Sequence, residues 1–234
     1  MSAVADPPSD QERAKTYFDA LAPDYDRAFR GEKGTWLETL VNRYYRGPTF
    51  VRRMELLEGL LRREGLEGSW LLDLGCGSGQ VSLLAAALGA RVHGIDIAPR
   101  MLEIARATAL RAGLTERTRF EEGDVSVAPL PQADVVLLVG VVEYYRDFEP
   151  LVARAAAAAG RTLIVAHTRR VWHRMLLRKA LFALQRSSVY FHPMEKVVGA
   201  AEAAGLRLRE RHEEPGFTLL VFARGPWGSG GEGA

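Results

Sequence analysis

The sequence predicts an α/β protein: a doubly wound, Rossmann-like, mostly parallel seven-stranded sheet with an antiparallel last strand and a helical N-terminal cap. Three observations carry that expectation. From residue 70 onward, short apolar runs alternate with stretches of helical periodicity, the order that a sheet covered on both faces requires. The first run leads into alternating glycines, Leu71-Leu72-Asp73-Leu74-Gly75-Cys76-Gly77-Ser78-Gly79-Gln80, where missing Cβ atoms let backbone approach a ligand and a following helix points its free N–H groups at the same spot. The last two runs are joined only by Glu213-Glu214-Pro215-Gly216, too short for a parallel crossover.

The elements follow in order. Ser9 and Glu12 form a capping-box pattern opening a helix that carries Tyr17, Phe18 and Leu21, and Phe50, Met54, Leu57 and Leu61 make one apolar stripe on a second. These two helices, over 10–65, are expected to cap the core. Strand 70–74 precedes helix 79–88, closed by Gly89; strand 91–96 precedes helix 99–111, opened by Pro99 and closed near Gly113; strand 118–121 comes next. Strand 134–139, helix 148–158 closed by Gly160, and strand 162–166 follow. After an intervening segment come helix 194–204 with Gly205 and strands 206–212 and 217–223.

Size and composition bound the rest. The chain has 234 residues, 47% of them hydrophobic, enough for one sizeable core over 10–224 and too few for two. Residues 1–9 read as a flexible lead and 225–234, with Gly228, Gly230, Gly231 and Gly233, as a flexible tail. A net charge of +2 against 26% charged residues gives no global reason to bind nucleic acid. The lone Cys76 sits between glycines and excludes an internal disulfide, in keeping with a reducing, cytoplasmic setting. Neither an export signal nor a membrane span is read, since the apolar run Val135 to Val142 is broken by Gly140.

A ligand in such a sheet lies outside the carboxyl ends of the strands, where strand order reverses. Asp73, Asp96 and Asp124 are expected to follow their strands and reach that crevice, whereas Asp134 precedes its strand and points to the opposite edge. Asp96, at the tip of the second strand, is placed to accept hydrogen bonds from ribose hydroxyls. Gln80 occupies the place where a dinucleotide fingerprint has Gly or Ala, and the Gly-Lys-Ser/Thr ending of a phosphate loop is missing. A turn that merely joined strand to helix would need neither acid.

The stretch Asp73-Leu74-Gly75-Cys76-Gly77-Ser78-Gly79 resembles the first motif of the class I S-adenosylmethionine-dependent methyltransferases. The resemblance continues through Gly94-Ile95-Asp96-Ile97-Ala98, Gly123-Asp124-Val125 and the strand ending at Gly140, in the family's order from residue 69 to about 166. It implies S-adenosyl-L-methionine as cofactor, with Asp96 and Ile97 at the ribose and Asp124 and Val125 near the adenine. Gly75, Gly77 and Gly79 would form the cradle and Gly140 would face the methionine part. The segment Tyr17 to Asp26 is similar to the family's N-terminal lid, in which Tyr25 would close over the methionine end; the alternative is an amphipathic capping helix. Met101 reads either as an apolar neighbour of the adenine or as core. No metal is expected.

Methyl transfer asks the protein to align donor and acceptor and to exclude water, and a base is needed only if the acceptor must lose a proton. The candidates are His167 at the end of the fifth strand, His173 and His192 beyond it, and Tyr144 or its neighbour Tyr145 after the fourth. Between Pro150 and Met194 there is no Asp or Glu, while Arg169, Arg170, Arg174, Arg178, Lys179 and Arg186 crowd the segment after the fifth strand. The insertion over 167–192, with its basic part at 169–186, reads as a lid over the acceptor, a peripheral membrane contact or a solvated face. As a lid, it sets Arg170 and Arg174 against an anionic small-molecule acceptor: an acidic aromatic, a quinone precursor or a tetrapyrrole. The loop region looks like the ubiquinone-pathway O-methyltransferases, and Tyr17-Phe18-Asp19 with the basic segment resembles the magnesium-protoporphyrin O-methyltransferases. O-methylation is therefore favoured. A binding module that has lost turnover, or a lipid methyltransferase at a membrane surface, would keep the same loop. A nucleic-acid substrate is not expected, because Gly140-Val141-Val142-Glu143 replaces the Asn-Pro-Pro-Tyr type of motif.

Overall fold

The computed structural model describes residues 9–29, 47–169 and 189–225, with side chains described outside 23–29, 47 and 48. Two helices, α1 (Asp10–Phe29) and α2 (Gly47–Glu64), precede β1 (Trp70–Leu74), α3 (Gln80–Ala87), β2 (Arg91–Asp96), α4 (Pro99–Arg111) and β3 (Thr118–Glu122). Then come β4 (Ala133–Val139), a single turn at Val142–Tyr144, α5 (Glu149–Ala158), β5 (Ala159–Thr168), α6 (Met194–Ala203), β6 (Leu206–Glu214) and β7 (Phe217–Arg224). The seven strands form one sheet in the order β3-β2-β1-β4-β5-β7-β6. Every described pairing is parallel except those of β7, which runs antiparallel between β5 and β6. The doubly wound sheet with its antiparallel last strand is thus as the alternation and the short final turn predict. That turn is tighter than expected: β6 reaches Glu214, leaving Pro215 and Gly216, whose φ of 109° suits glycine.

Both faces of the sheet are covered, which explains why the central strands are apolar on both sides. Leu72, Leu74, Val136, Leu138, Leu163 and Val165 pack with Leu151 and Val152 of α5 and Val197 of α6. On the other face Leu71, Val92, Val135, Ile164 and Leu219 meet Leu57, Leu60 and Leu61 of α2 and Ala85 and Ala86 of α3. Within the expected cap over 10–65 the two helices differ: the stripe on α2 packs on the sheet, whereas Tyr17, Leu21 and Ala22 of α1 pack on Ala98, Met101 and Ile104.

The expected capping box is present, with the Ser9 N–H donating to Glu12 Oε2 (2.8 Å) and the Glu12 N–H to Ser9 Oγ (3.2 Å). Gly160 does not close α5. The chain passes from Ala158 directly into β5 because Ala159 already pairs with Ala133 of β4.

Candidate functional site

The glycine loop between β1 and α3 folds back on β2: the N–H groups of Gly75 and Cys76 both donate to the Ile95 carbonyl, at 2.7 and 3.2 Å. Its glycines have different reasons to be glycine. A Cβ on Gly75 would stand 2.3 Å from Val141 Cγ2, and one on Gly79 would stand 2.9 Å from Ala105 Cβ. Both therefore serve packing, against the chain after β4 and against α4. Gly77, with φ of 53°, has open space where its Cβ would be. It is the position at which a ligand can lie against the loop. Beyond it, α3 begins at the N-cap Gly79, which has no side chain to cap the helix, and the Asp73 carboxylate takes the Ser82 N–H of the first turn.

Asp96, the last residue of β2, holds this loop in place. Its Oδ2 accepts the Gly77 N–H (2.7 Å) and its Oδ1 the Ala98 N–H (2.9 Å), and each oxygen keeps a lone pair for a ligand hydroxyl. Burial pushes the Asp96 carboxyl above its usual range, and these two N–H groups oppose that rise. Asp73 differs from the expectation that it follows its strand. It lies within β1, 2% exposed, and its Oδ2 accepts the Ser82 hydroxyl at 2.6 Å. The carboxyl thus ties β1 to α3 beneath the loop. Burial raises its pKa to about 6, against the Ser82 hydrogen bond and with help from the charge on Asp96. Burial also pushes the Cys76 thiol far up, as suits a packing residue.

At the end of β3, Asp124 Oδ1 accepts the Ser126 N–H (2.9 Å), the Ser126 hydroxyl (2.7 Å) and the Tyr145 hydroxyl (3.0 Å). The acid is half-buried beside the crevice, and Tyr145 links it to the chain after β4. Burial, then the charge of Asp124, drives the Tyr145 phenol well above its usual range. Ile97 is half-buried next to Asp96, while Val125 is 3% exposed within the main core. Met101 is 1% exposed in the cluster between α1 and α4. Gly140, with φ of 71°, ends β4 near Arg53 and Glu143.

Among the candidate bases, His167 lies at the end of β5, 4% exposed. Its Nδ1 is 3.1 Å from the Thr168 carbonyl oxygen and its Nε2 has no hydrogen-bond partner among the described residues. Burial lowers its pKa, and the neighbouring Glu143 opposes that effect. His192 is committed elsewhere: Nε2 donates to the Tyr145 carbonyl (2.9 Å) and the ring lies 4.0 Å from that of Phe148, centroid to centroid. Tyr144 meets Phe18 of α1 edge-on at 5.1 Å. Arg169 pairs with Glu213 at 2.9 Å. His173, Arg170, Arg174, the rest of the basic segment, both tails and the Tyr25 side chain lie outside the described residues.

Sequence reasoning missed Ser82, Ser126, Glu143 and Thr218. Glu143 carried one signal, an acid three residues beyond the glycine that ends β4 in an otherwise apolar run. Ser82 and Thr218 carried none, because each matters through a partner distant in sequence. Among the described residues, no helix is long and apolar enough to cross a membrane.

The family model described as the ANTKMT methyltransferase domain matches residues 73–173. The chain is 35% identical over 151 residues to the ubiquinone biosynthesis O-methyltransferase of Methylobacterium nodulans, covering 60% of this chain and 61% of that protein. It is 36% identical over 114 residues to the ribosomal protein L11 methyltransferase of Pectobacterium carotovorum, covering 48% and 37%. The chain therefore spans less than two thirds of the length of these relatives. Among solved structures, magnesium protoporphyrin IX methyltransferase from Synechocystis PCC 6803, with bound SAH, superposes with a TM-score of 0.76 at 20% identity, covering 93% of this chain and 100% of that one. That likeness is one of fold.

Proposed function

We propose, for a chain that belongs to the class I S-adenosylmethionine-dependent methyltransferase family, that it transfers the methyl group of S-adenosyl-L-methionine to an oxygen of a small anionic acceptor. The observation that carries this reading is the pairing of Asp96 with Gly77: the acid that would take the ribose also fixes the one loop glycine facing open space. The residues fit the cofactor. Asp96 and Ile97 would receive the ribose, Asp124 and Val125 would flank the adenine, and Gly140 would face the amino-acid end. Gly75 and Gly79 shape the loop from behind, and Asp73 braces it through Ser82.

The bound cofactor supplies a methyl group already activated by a sulfonium charge. The protein's part is alignment, which can lower a barrier by roughly 7–11 kcal/mol, together with exclusion of water. An anionic acceptor follows from the acid-free, arginine-rich sequence between β5 and α6, with Arg170 and Arg174 as the proposed carboxylate or phosphate partners. The likeness to ubiquinone-pathway O-methyltransferases supports oxygen as the accepting atom and an acidic aromatic or quinone precursor as the acceptor class.

The test is a screen of carboxylated phenols, porphyrins and anionic lipids for acceptor-dependent release of S-adenosylhomocysteine, run on wild type and on Arg170→Gln/Arg174→Gln. A raised acceptor KM with cofactor affinity within about twofold supports the reading. Vesicle binding lost in the double variant, with soluble-acceptor turnover unchanged, would assign the basic segment to a membrane surface. Cofactor binding without turnover on any acceptor would leave a binding module.

A further inference from the structure

Three buried side-chain atoms near the carboxyl ends of β4 and β5 and the start of β7 have no hydrogen-bond partner among the described residues: Glu143 Oε2, His167 Nε2 and Thr218 Oγ1. His167 and Thr218 are cross-strand partners in the β5·β7 register, so their side chains share one face of the sheet. That face is the one packed by Leu163, Val165, Leu220 and Phe222. The Thr168 hydroxyl holds the Glu143 carboxylate from the end of β5, donating to Oε1 at 2.6 Å. The same Oε1 lies 4.0 Å from where a Cβ on Gly140 would be, so the carboxylate sits beside the end of β4. Buried polar atoms are normally satisfied. Three unsatisfied ones from three elements mark a place that a ligand's polar group completes.

The protonation pattern says which group. The Thr168 carbonyl can only accept, so its contact with Nδ1 puts the His167 proton on Nδ1 and leaves a bare lone pair on Nε2 of the neutral ring. Burial lowers the pKa of that ring, with Glu143 and the Thr168 contact opposing and His192 and Arg169 adding to the fall. A lone pair on Nε2 and one on the Glu143 carboxylate both call for a donor, and the Thr218 hydroxyl can serve either way.

We propose that Glu143, His167 and Thr218 form the acceptor subsite for a hydroxylated aromatic ring, with neighbouring hydroxyls donating to His167 Nε2 and Glu143 Oε2. The proposal rests on the methyl-transfer reading. A phenol, with a pKa of about 10, is within reach of an imidazole base, whereas an aliphatic alcohol is a far weaker acid. As the hydroxyl oxygen bonds to the methyl carbon, the carbon–sulfur bond breaks with its electron pair going to sulfur, and the hydroxyl proton passes to His167 Nε2. The imidazolium so formed has the Glu143 carboxylate beside it and loses its proton to solvent after product leaves.

The test uses the full chain labelled with 15N-histidine and saturated with S-adenosylhomocysteine. Catechol should move the His167 Nε2 resonance from the position of a bare nitrogen to that of a hydrogen-bonded one, and 1,2-dimethoxybenzene, which has no proton to donate, should not. In turnover with catechol, His167→Gln should lower kcat at least a hundredfold and remove the acidic limb of the pH–rate profile. Glu143→Gln should shift that limb to lower pH, and both variants should bind S-adenosylhomocysteine within twofold of wild type. Silence of His167 toward catechol while S-adenosylhomocysteine binds would overturn the subsite alone and leave an ordered water as its occupant. Failure of wild type to bind S-adenosylhomocysteine would overturn the methyl-transfer reading itself, and the proposal with it. The wild-type titration decides the matter whether or not a variant folds.

Discussion

The Asp96 carboxylate accepts the Gly77 N–H at 2.7 Å, so the tip of β2 holds the centre of the loop that follows β1. Ligand recognition and loop geometry therefore meet in one side chain. Parallel pairing makes this possible, because the register Leu74↔Ile95 brings the carboxyl ends of the two strands level.

The tight side of the loop is directly testable. Gly75→Ala would place a methyl 2.3 Å from Val141 Cγ2 on a residue with φ of 71°. The left-handed backbone costs roughly 1–2 kcal/mol and the clash about 1–3 kcal/mol more. Adding Val141→Ala should recover most of the clash and leave the backbone cost. Urea unfolding of the two single variants and the double should show a coupling of about 1 kcal/mol or more; strict additivity would mean that the contact is absent.

Asp73 predicts a pH dependence. Its pKa is raised to about 6 in the folded chain and lies near 3.9 when unfolded. Between those values the native state holds a proton that the unfolded state has released. The contribution of Asp73 is thus full below about pH 4 and is lost as pH rises through about 6, by an amount on the order of 3 kcal/mol. Asp73→Asn carries no such term, so wild type should lose stability relative to the variant from pH 4 to 7. A pH-independent difference between them would show that Asp73 titrates normally.

Away from the site, Glu64 at the end of α2 predicts a stability effect. Its side chain is 4% exposed and pairs with Arg209 of β6, and it accepts the Thr162 hydroxyl of β5 at 2.6 Å. Glu64→Ala removes one buried carboxylate partner from Arg209, which keeps Glu210 at 3.3 Å, and the acceptor of the Thr162 hydroxyl, and should destabilise by about 1–3 kcal/mol. A change below about 1 kcal/mol in the unfolding midpoint analysis would mean that the pair is solvated.

Much of this was legible in the sequence because it is written locally. The alternation of apolar runs, the glycine loop, Pro99 before α4 and the capping box at Ser9 are all signals within a few residues of the element they make. Asp96 was legible for the same reason, as an acid ending an apolar run after that loop. The destination of the α2 stripe was not, since a stripe states that one face is buried and not what buries it. Asp73 pointing inward to Ser82 and Met101 being held by α1 depend on packing across the sheet. The Glu143–His167–Thr218 group depends on the register of β5 with β7. No period or spacing encodes that pairing.

If the glycine loop and Asp96 hold S-adenosylmethionine, its product S-adenosylhomocysteine binds there too, and calorimetric titration measures that binding. Wild type should bind with a Kd on the order of micromolar, roughly −8 kcal/mol. Asp96→Ala should weaken binding by about 1.5–3 kcal/mol, the value typical of hydrogen bonds to a charged group. No heat with S-adenosylhomocysteine, alongside clear binding of a nicotinamide dinucleotide, would contradict the account.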